Sequence, residues 1–146
     1  MPTFPSLEWF LALRRAANAN PERCRRLRAI ELMLVVKVDF ASASDCFELA
    51  FSGARCGAVK HLPSLDAASP KAVTVEGPYP VWREMLQNIR EHGRADECHT
   101  LNMLTVFDSP LFVWGASAAR EAFCSHYMRD LQAYFDASAD LTTDFP

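Results

Sequence analysis

Residues 72–86 read AVTVEGPYPVWREML, and the apolar period changes within this stretch. Val73 and Val75 alternate with polar residues, which predicts an extended strand. From Tyr79 onward the apolar residues recur at the spacing of one helical face, and Gly93 is a suitable residue to end that helix. The stretch therefore predicts a strand that leads directly into an amphipathic helix, whose apolar face must be covered by a core or by an apolar ligand.

The rest of the chain predicts clustered strands with helices before and after them. We expect helices at about 6–19, 21–28, 79–92 and 118–137, and strands at about 32–40, 47–52, 55–61, 72–75 and 110–115. Ser6 can cap the first helix, and Gly57 predicts a β-bulge or a close backbone approach in the third strand. Residues 97–107 fit the helical and the extended period equally, and we expect a helical or irregular segment there. This order of elements predicts an α+β sandwich in a single domain, residues 1–146.

The composition is that of one compact globular domain with a sizeable core, because 50% of the residues are hydrophobic and 23% are charged. The formal net charge is -3, from 15 Lys and Arg against 18 Asp and Glu. Nucleic-acid binding relies on positive charge, and the net charge of this chain is negative, so we expect no nucleic-acid partner. The arginines between residues 14 and 28 fit a solvated helical surface, or contact with an acidic partner or a phosphate-bearing ligand.

The five cysteines indicate neither a disulfide framework nor a zinc site, because their number is odd and no two have the close spacing of zinc ligands. We expect no metal and no cofactor. Residues 1–5 lack the basic and apolar segments of a secretory signal, and the apolar runs are too short to cross a bilayer. We therefore expect a cytoplasmic protein without stable membrane insertion.

Two pairs of neighbouring residues are candidates for nucleophilic catalysis, Cys98 with His99 and Cys124 with His126. Adjacent side chains in an extended segment face opposite ways, and helical positions two apart diverge. The cysteines are better interpreted as small buried residues. An enzyme, or an accessory subunit of one, that acts on an apolar substrate through Cys98, His99 or His126 remains the alternative hypothesis.

Apolar and aromatic residues are abundant in the predicted strands and helices. Most of them belong to a core, but Met85, Met103 and Met128 also offer soft, adjustable walls for a cavity between the sheet and two helices with wide apolar stripes. The residues expected to contact a ligand in that cavity are Leu49, Phe51, Trp82, Met85, Leu86, Ile89, Met103, Phe112, Phe123, Tyr127 and Leu131.

Four local patterns follow one another in an order found in a known family. They are an opening amphipathic helix at 6–19, the strand CFELAFSGA at 46–54 with its glycine turn, the strand at 72–75 followed by Trp82, and a late strand at 111–115 that ends in glycine. Together they resemble the sterol carrier protein type 2 (SCP2) family over about residues 6–135. The resemblance implies a mostly antiparallel sheet covered by helices, with an apolar tunnel inside.

What the resemblance implies about function is non-catalytic binding or transfer of a fatty acid, a fatty acyl-CoA, a sterol or a similar apolar molecule. The chain departs from the common pattern at residues 97–110, where residues 101–109 are unusually apolar and lie where the tunnel wall would be. It also lacks a Ser-Lys-Leu peroxisomal address, so we expect a free-standing domain of the bacterial type. A homodimer is a further possibility if apolar surface is exposed.

Overall fold

A computed structural model describes residues 1–20, 31–53, 55–106 and 110–146, without the side chains of Phe123 and Ser125. The helix expected at 21–28 lies outside the described residues. In chain order the elements are α1 (Leu7–Ala19), β1 (Leu32–Asp39), β2 (Ser44–Ser52), β3 (Arg55–Leu62), a 3-10 turn (Leu65–Ala67), β4 (Val73–Pro78), α2 (Tyr79–His92), α3 (Leu101–Leu104), β5 (Phe112–Gly115), α4 (Ala118–His126), α5 (Met128–Asp136) and a second 3-10 turn (Ala137–Asp140).

The strands form one five-stranded sheet in the order β3-β2-β1-β4-β5. The β1–β2, β2–β3 and β4–β5 pairs are antiparallel, and the β1–β4 pair is parallel. A parallel pair needs a crossover connection, and the chain makes it through β2, β3 and the turn that follows them. The α+β class and the mostly antiparallel sheet predicted from the sequence are therefore confirmed.

The two faces of the sheet differ in what covers them. Alternate side chains of β1 and β2, such as Leu34, Val36 and Leu49, point to the face that packs with the helices in the main core, and we call it the inner face. On the outer face Val35 forms a small buried cluster with Cys46 and Leu62. Because β1 is covered on both sides, its sequence is nearly continuously apolar.

The first helix begins where the sequence predicts. The Ser6 hydroxyl accepts a hydrogen bond from the Trp9 backbone N–H at 3.0 Å, which satisfies one of the free donors of the first helical turn. Trp9, Phe10 and Leu13 are fully buried in the main core. The indole Nε1–H of Trp9 donates to the Thr143 hydroxyl at 3.0 Å and so ties the helix to the C-terminal segment.

The strand–helix joint is also as predicted, although β4 is longer than expected and extends to Pro78. Helix α2 starts at Tyr79 and ends at Gly93, whose φ of 80° is the left-handed conformation that glycine adopts without steric cost. The third strand contains the expected bulge, because the register of β2 against β3 shifts between Leu49 and Phe51, opposite Gly57.

The last helix differs from the prediction. The sequence predicts a single helix at 118–137, but the chain breaks at Tyr127, whose N–H bonds to Cys124 O at 2.9 Å in a tighter turn. The break has a packing reason. Helix α4 packs against β4 and β5, whereas α5 packs against α1 and α3, so one wide apolar stripe is divided between two surfaces.

Residues 97–106 are irregular apart from the single helical turn α3, in agreement with the helical or irregular segment expected there. Leu101 is buried in the main core, and Leu104 packs against it. The Leu111 N–H donates to Leu104 O at 3.0 Å, which joins this segment to the start of β5. Among the described helices, none is long and apolar enough to cross a membrane.

Candidate functional site

Most of the residues expected to contact a ligand come together in the main core between the inner face and the helices. Strand β2, helix α2 and the region around α5 each contribute part of this group. Its members, all buried, are Leu49, Phe51, Trp82, Met85, Leu86, Ile89, Tyr127 and Leu131.

Two expected residues lie elsewhere. Met103 is 50% exposed, because the turn α3 directs Leu101 into the core instead. Phe112 is 64% exposed on the outer face, because strand side chains alternate and it is Val113 that packs against the main core. Met103 and Phe112 therefore lie outside the buried main core, and their contact with a ligand stays a prediction. The side chain of Phe123 is not among those described.

A row of aromatic rings crosses the core from β2 to α2. The ring centroids of Phe51 and Tyr134 are 5.0 Å apart, those of Tyr134 and Phe135 are 5.8 Å apart, and those of Phe135 and Trp82 are 6.1 Å apart. Sequence reasoning left Tyr134 and Phe135 out of the site, although they belong to the same apolar stripe as Leu131. The row therefore runs from Phe51 at the end of β2 to Trp82 on α2.

Two buried polar groups in this region lack hydrogen-bond partners among the described residues, the Trp82 indole Nε1–H and the Ser138 hydroxyl. They belong to α2 and to the 3-10 turn Ala137–Asp140, which pack against each other. Leaving such a group unpaired costs about 1 to 3 kcal/mol, so a partner that enters the core gains by pairing with it. A hydroxyl or carbonyl oxygen is the kind of group that could accept from Trp82.

The segment 95–104 covers one side of the core and is fixed by hydrogen bonds to the helices on both sides. From α5, the side-chain Oε1 of Gln132 accepts from the Leu101 backbone N–H at 2.6 Å, and Oδ1 of Asp136 accepts from the Ala95 backbone N–H at 3.1 Å. From α2, Asn88 and Asp96 pair reciprocally at 2.8 and 2.9 Å. This segment is therefore held by polar side chains of both helices in addition to the packing of Leu101 and Leu104 in the core.

His99 lies in that covering segment between two carboxylates. Its Nδ1 is 2.6 Å from Asp96 Oδ1 and its Nε2 is 3.1 Å from Glu84 Oε1. The hydrogen bond to Asp96 raises the pKa of His99, and the same bond lowers the pKa of Asp96. Since both ring nitrogens are engaged, His99 is an ion-pairing residue here rather than a free general base.

The other candidates for catalysis do not join His99. Cys98 is exposed, and its N–H donates to Asp96 at 3.0 Å. Burial raises the pKa of Cys124 to about 12, which makes this thiol a poor nucleophile. Within the described parts of the chain, no hydrogen bond links His99 to Cys98, Cys124 or His126. The same residues contain no group of three His, Cys, Asp or Glu side chains that could hold a metal ion.

The outer face carries an ionic cluster that joins the two parallel strands. Lys37 of β1 pairs with Glu76 of β4 and lies 3.1 Å from Asp39, and the indole N–H of Trp114 donates to Glu76 at 3.1 Å. The hydrogen bond to Glu76 raises the pKa of Lys37, and burial raises that of Asp39. All four partners belong to strands β1, β4 and β5, so the cluster fastens the sheet.

A surface pocket of about 340 Å³ lies at the end of the sheet where β1 and β4 begin and β2 ends. Its lining combines residues of the inner face, two residues that alternate with them and point to the outer face, and charged residues at the rim. They are Glu31, Leu32, Met33, Ala50, Phe51, Ser69, Lys71, Val73 and Arg120. Phe51 belongs both to this pocket and to the aromatic row.

The fold has clear counterparts among solved structures. The solution structure of a conserved hypothetical protein from Thermus thermophilus, described as possibly a sterol carrier protein, superposes with a TM-score of 0.68 at 16% identity, over 95% of this chain and 90% of that one. The crystal structure of sterol carrier protein 2 superposes with a TM-score of 0.64 at 16% identity, over 92% of this chain and 96% of that one. No protein-family model and no curated protein sequence matches the chain. The fold is therefore that of sterol carrier protein 2, as the sequence resemblance predicted.

Proposed function

We propose that the protein binds an apolar small molecule between the inner face of the sheet and the helices, and carries or transfers it without catalysis. The expected ligand is a fatty acid, a fatty acyl-CoA or a sterol-like lipid. The observation that carries the proposal is the superposition on sterol carrier protein 2 across almost the whole chain. Because a fold alone does not determine a function, the proposal also needs support from this chain's own residues.

The first support is the make-up of the core. Met85 and Met128 are both buried, and their flexible thioether side chains can move to accommodate a guest. Each Leu-sized group removed from water contributes about 1.5 to 3 kcal/mol, so an acyl chain that contacts several core residues can bind without a charge pair.

The second support is the indole N–H of Trp82 inside this core, which has no partner among the described residues. A guest that carries a hydroxyl or carbonyl oxygen within its apolar part could pair with it. The arrangement of His99 between Asp96 and Glu84 further favours binding over catalysis, because both ring nitrogens of the most suitable base are already engaged.

Native mass spectrometry tests the proposal on protein purified without detergent. We expect bound lipid to copurify, or a delipidated sample to take up lauric acid, lauroyl-CoA or a sterol probe in a saturable way. A protein that is uniformly empty and binds none of these probes contradicts the proposal. The proposal also includes a possible homodimer and a cytoplasmic location. Mass spectra recorded at several protein concentrations test the homodimer, and cell fractionation tests the location.

The alternative enzyme hypothesis has a separate test. Cys98 and His99 lie outside the main core, so replacing His99 with Gln or Cys98 with Ser removes no core side chain. If the protein is a carrier, both variants keep their lipid affinity and neither gains or loses any turnover of a bound ester or thioester. Loss of a hydrolytic or transfer activity in these variants would favour the enzyme.

A further inference from the structure

The surface pocket at the end of the sheet has an apolar floor made by residues of the main core. Leu32, Phe51 and Val73 line it, and each is less than a tenth exposed. They come from the three central strands β1, β2 and β4 at the end where those strands begin or finish. Met33 and Ala50, which point to the outer face, also line the pocket, so it lies across the end of the sheet and reaches the main core through Leu32, Phe51 and Val73.

The floor also connects to the proposed binding region. Phe51 packs edge-on against Tyr134, and the aromatic row continues through Phe135 to Trp82. An acyl chain that entered beside Phe51 would run along this row of rings towards Trp82.

The rim of the same pocket is cationic. Lys71, just before β4, and Arg120, in the first turn of α4, are both exposed and both line the pocket. Among the residues that the structure describes, their side chains have no hydrogen-bonding or ion-pair partner. The Lys71 backbone N–H donates to the Ser69 hydroxyl, and that of Arg120 donates to the hydroxyl and the backbone carbonyl of Ser117.

Among the described residues, the acidic residue at the rim forms no ion pair with either cation. Glu31 accepts hydrogen bonds from the Gly53 N–H at 3.1 Å and the Ser52 hydroxyl at 3.2 Å, so its carboxylate is committed to the turn after β2. The rim therefore carries two positive charges and one negative charge, and neutral donors hold the negative charge at the turn after β2. Such a rim attracts an anionic group.

We propose that this pocket is the entrance of the lipid site and that Lys71 and Arg120 hold the anionic head group of the ligand. The head group is a carboxylate or a phosphate, with the alkyl chain directed past Phe51 into the core. The arrangement keeps the charge in contact with water and buries only the apolar chain, which avoids the high cost of an unpaired charge in the interior. This inference rests on the proposed function and specifies the class of ligand.

The test compares three probes that share one alkyl chain and differ in the head group: lauric acid, lauryl phosphate and lauryl alcohol. Their affinities for delipidated protein are measured by calorimetry, for the wild type and for the double variant Lys71→Gln with Arg120→Gln. The matched control is Lys60→Gln, which removes an exposed cation of β3 that does not line the pocket. Circular dichroism confirms that each variant is folded.

We expect the double variant to bind the anionic probes about tenfold or more weakly and the alcohol with unchanged affinity, because charge-assisted hydrogen bonds are lost only for the anions. Added salt should weaken the anions alone in the wild type. Whichever anion binds more tightly identifies the source of the head group. Unchanged affinity of both anions in the double variant, or an equal loss for the control, overturns the inference while the proposed function stands. A wild-type protein that binds none of the three probes overturns both.

Discussion

Two buried tryptophans differ in whether the indole N–H group is hydrogen-bonded, and this difference can be tested by measuring stability. Trp9 is 0% exposed and Trp82 is 1% exposed, but the indole N–H of Trp9 donates to Thr143 at 3.0 Å whereas that of Trp82 has no partner among the described residues. Replacing either residue with phenylalanine removes the same atoms and leaves a space of similar size. The volume contributions to stability are therefore comparable, and the difference between the variants reports on the N–H groups.

The expected difference follows from the two hydrogen-bonding states. Trp9→Phe loses a hydrogen bond with a net value of about 0.5 to 1.5 kcal/mol, whereas Trp82→Phe removes an unpaired donor whose burial costs about 1 to 3 kcal/mol. In delipidated protein the free energy of unfolding should therefore be about 1.5 to 4.5 kcal/mol lower for Trp9→Phe than for Trp82→Phe.

Urea denaturation followed by far-ultraviolet circular dichroism measures both free energies, and equal slopes against urea show that the variants unfold to the same extent. Trp114→Phe serves as a control, because that indole is partly exposed on the outer face and donates to Glu76. If Trp82→Phe is as destabilising as Trp9→Phe, the Trp82 donor has a partner in the ligand-free protein and the reasoning fails.

Two further outcomes are expected from close packing and from the pH dependence of the covering segment. A Cβ atom on Gly77 would overlap buried Leu111, so Gly77→Ala should lower the free energy of unfolding by about 1 to 3 kcal/mol. A Cβ atom on Gly57 would have its nearest neighbour at 3.5 Å, so Gly57→Ala should lower it much less. Equal urea midpoints for the two variants would contradict this. The bond to Asp96 raises the pKa of His99, so its stabilisation is fully present below about pH 6.5 and is lost as the pH rises through the raised pKa. The stability difference between wild type and His99→Gln should shrink over that interval, and a difference that does not change with pH would show that the pair contributes nothing.

The strand–helix joint was predictable because its signals are local. Val73 and Val75 alternate, Tyr79 begins the helical spacing, and Gly93 supplies the left-handed end, so each step depends on residues only a few positions apart. The N-cap at Ser6 is readable for the same reason. These elements were enough to indicate the fold.

The break at Tyr127 was not predictable, because it depends on which surfaces the two halves of the segment meet. One half packs on β4 and β5 and the other on α1 and α3, and these partners are distant in sequence. The exposure of Phe112 has a related cause. Residues 112–114 are all apolar, so alternation cannot tell which of them faces the core of an edge strand.

The site was predictable only in its apolar part. The periodicity of α2 places Trp82 on the buried face, but nothing in the sequence reveals that its N–H lacks a partner among the described residues while that of Trp9 has one. Likewise Lys71 and Arg120 are far apart in the chain, and only the pairing of β1 with β4 and the position of α4 bring both to one pocket. Long-range geometry therefore decides the polar features of the site.

The most direct test of lipid binding in this core is a titration of the tryptophan indole N–H signals by nuclear magnetic resonance. The chain has three tryptophans, so the signals can be assigned with the Phe variants of Trp9, Trp82 and Trp114. On addition of lauric acid or lauryl alcohol to delipidated protein, the Trp82 signal should shift in a saturable way while the Trp114 signal on the outer face stays in place. A Trp82 signal that does not move while a probe demonstrably binds would place the ligand elsewhere and contradict the account.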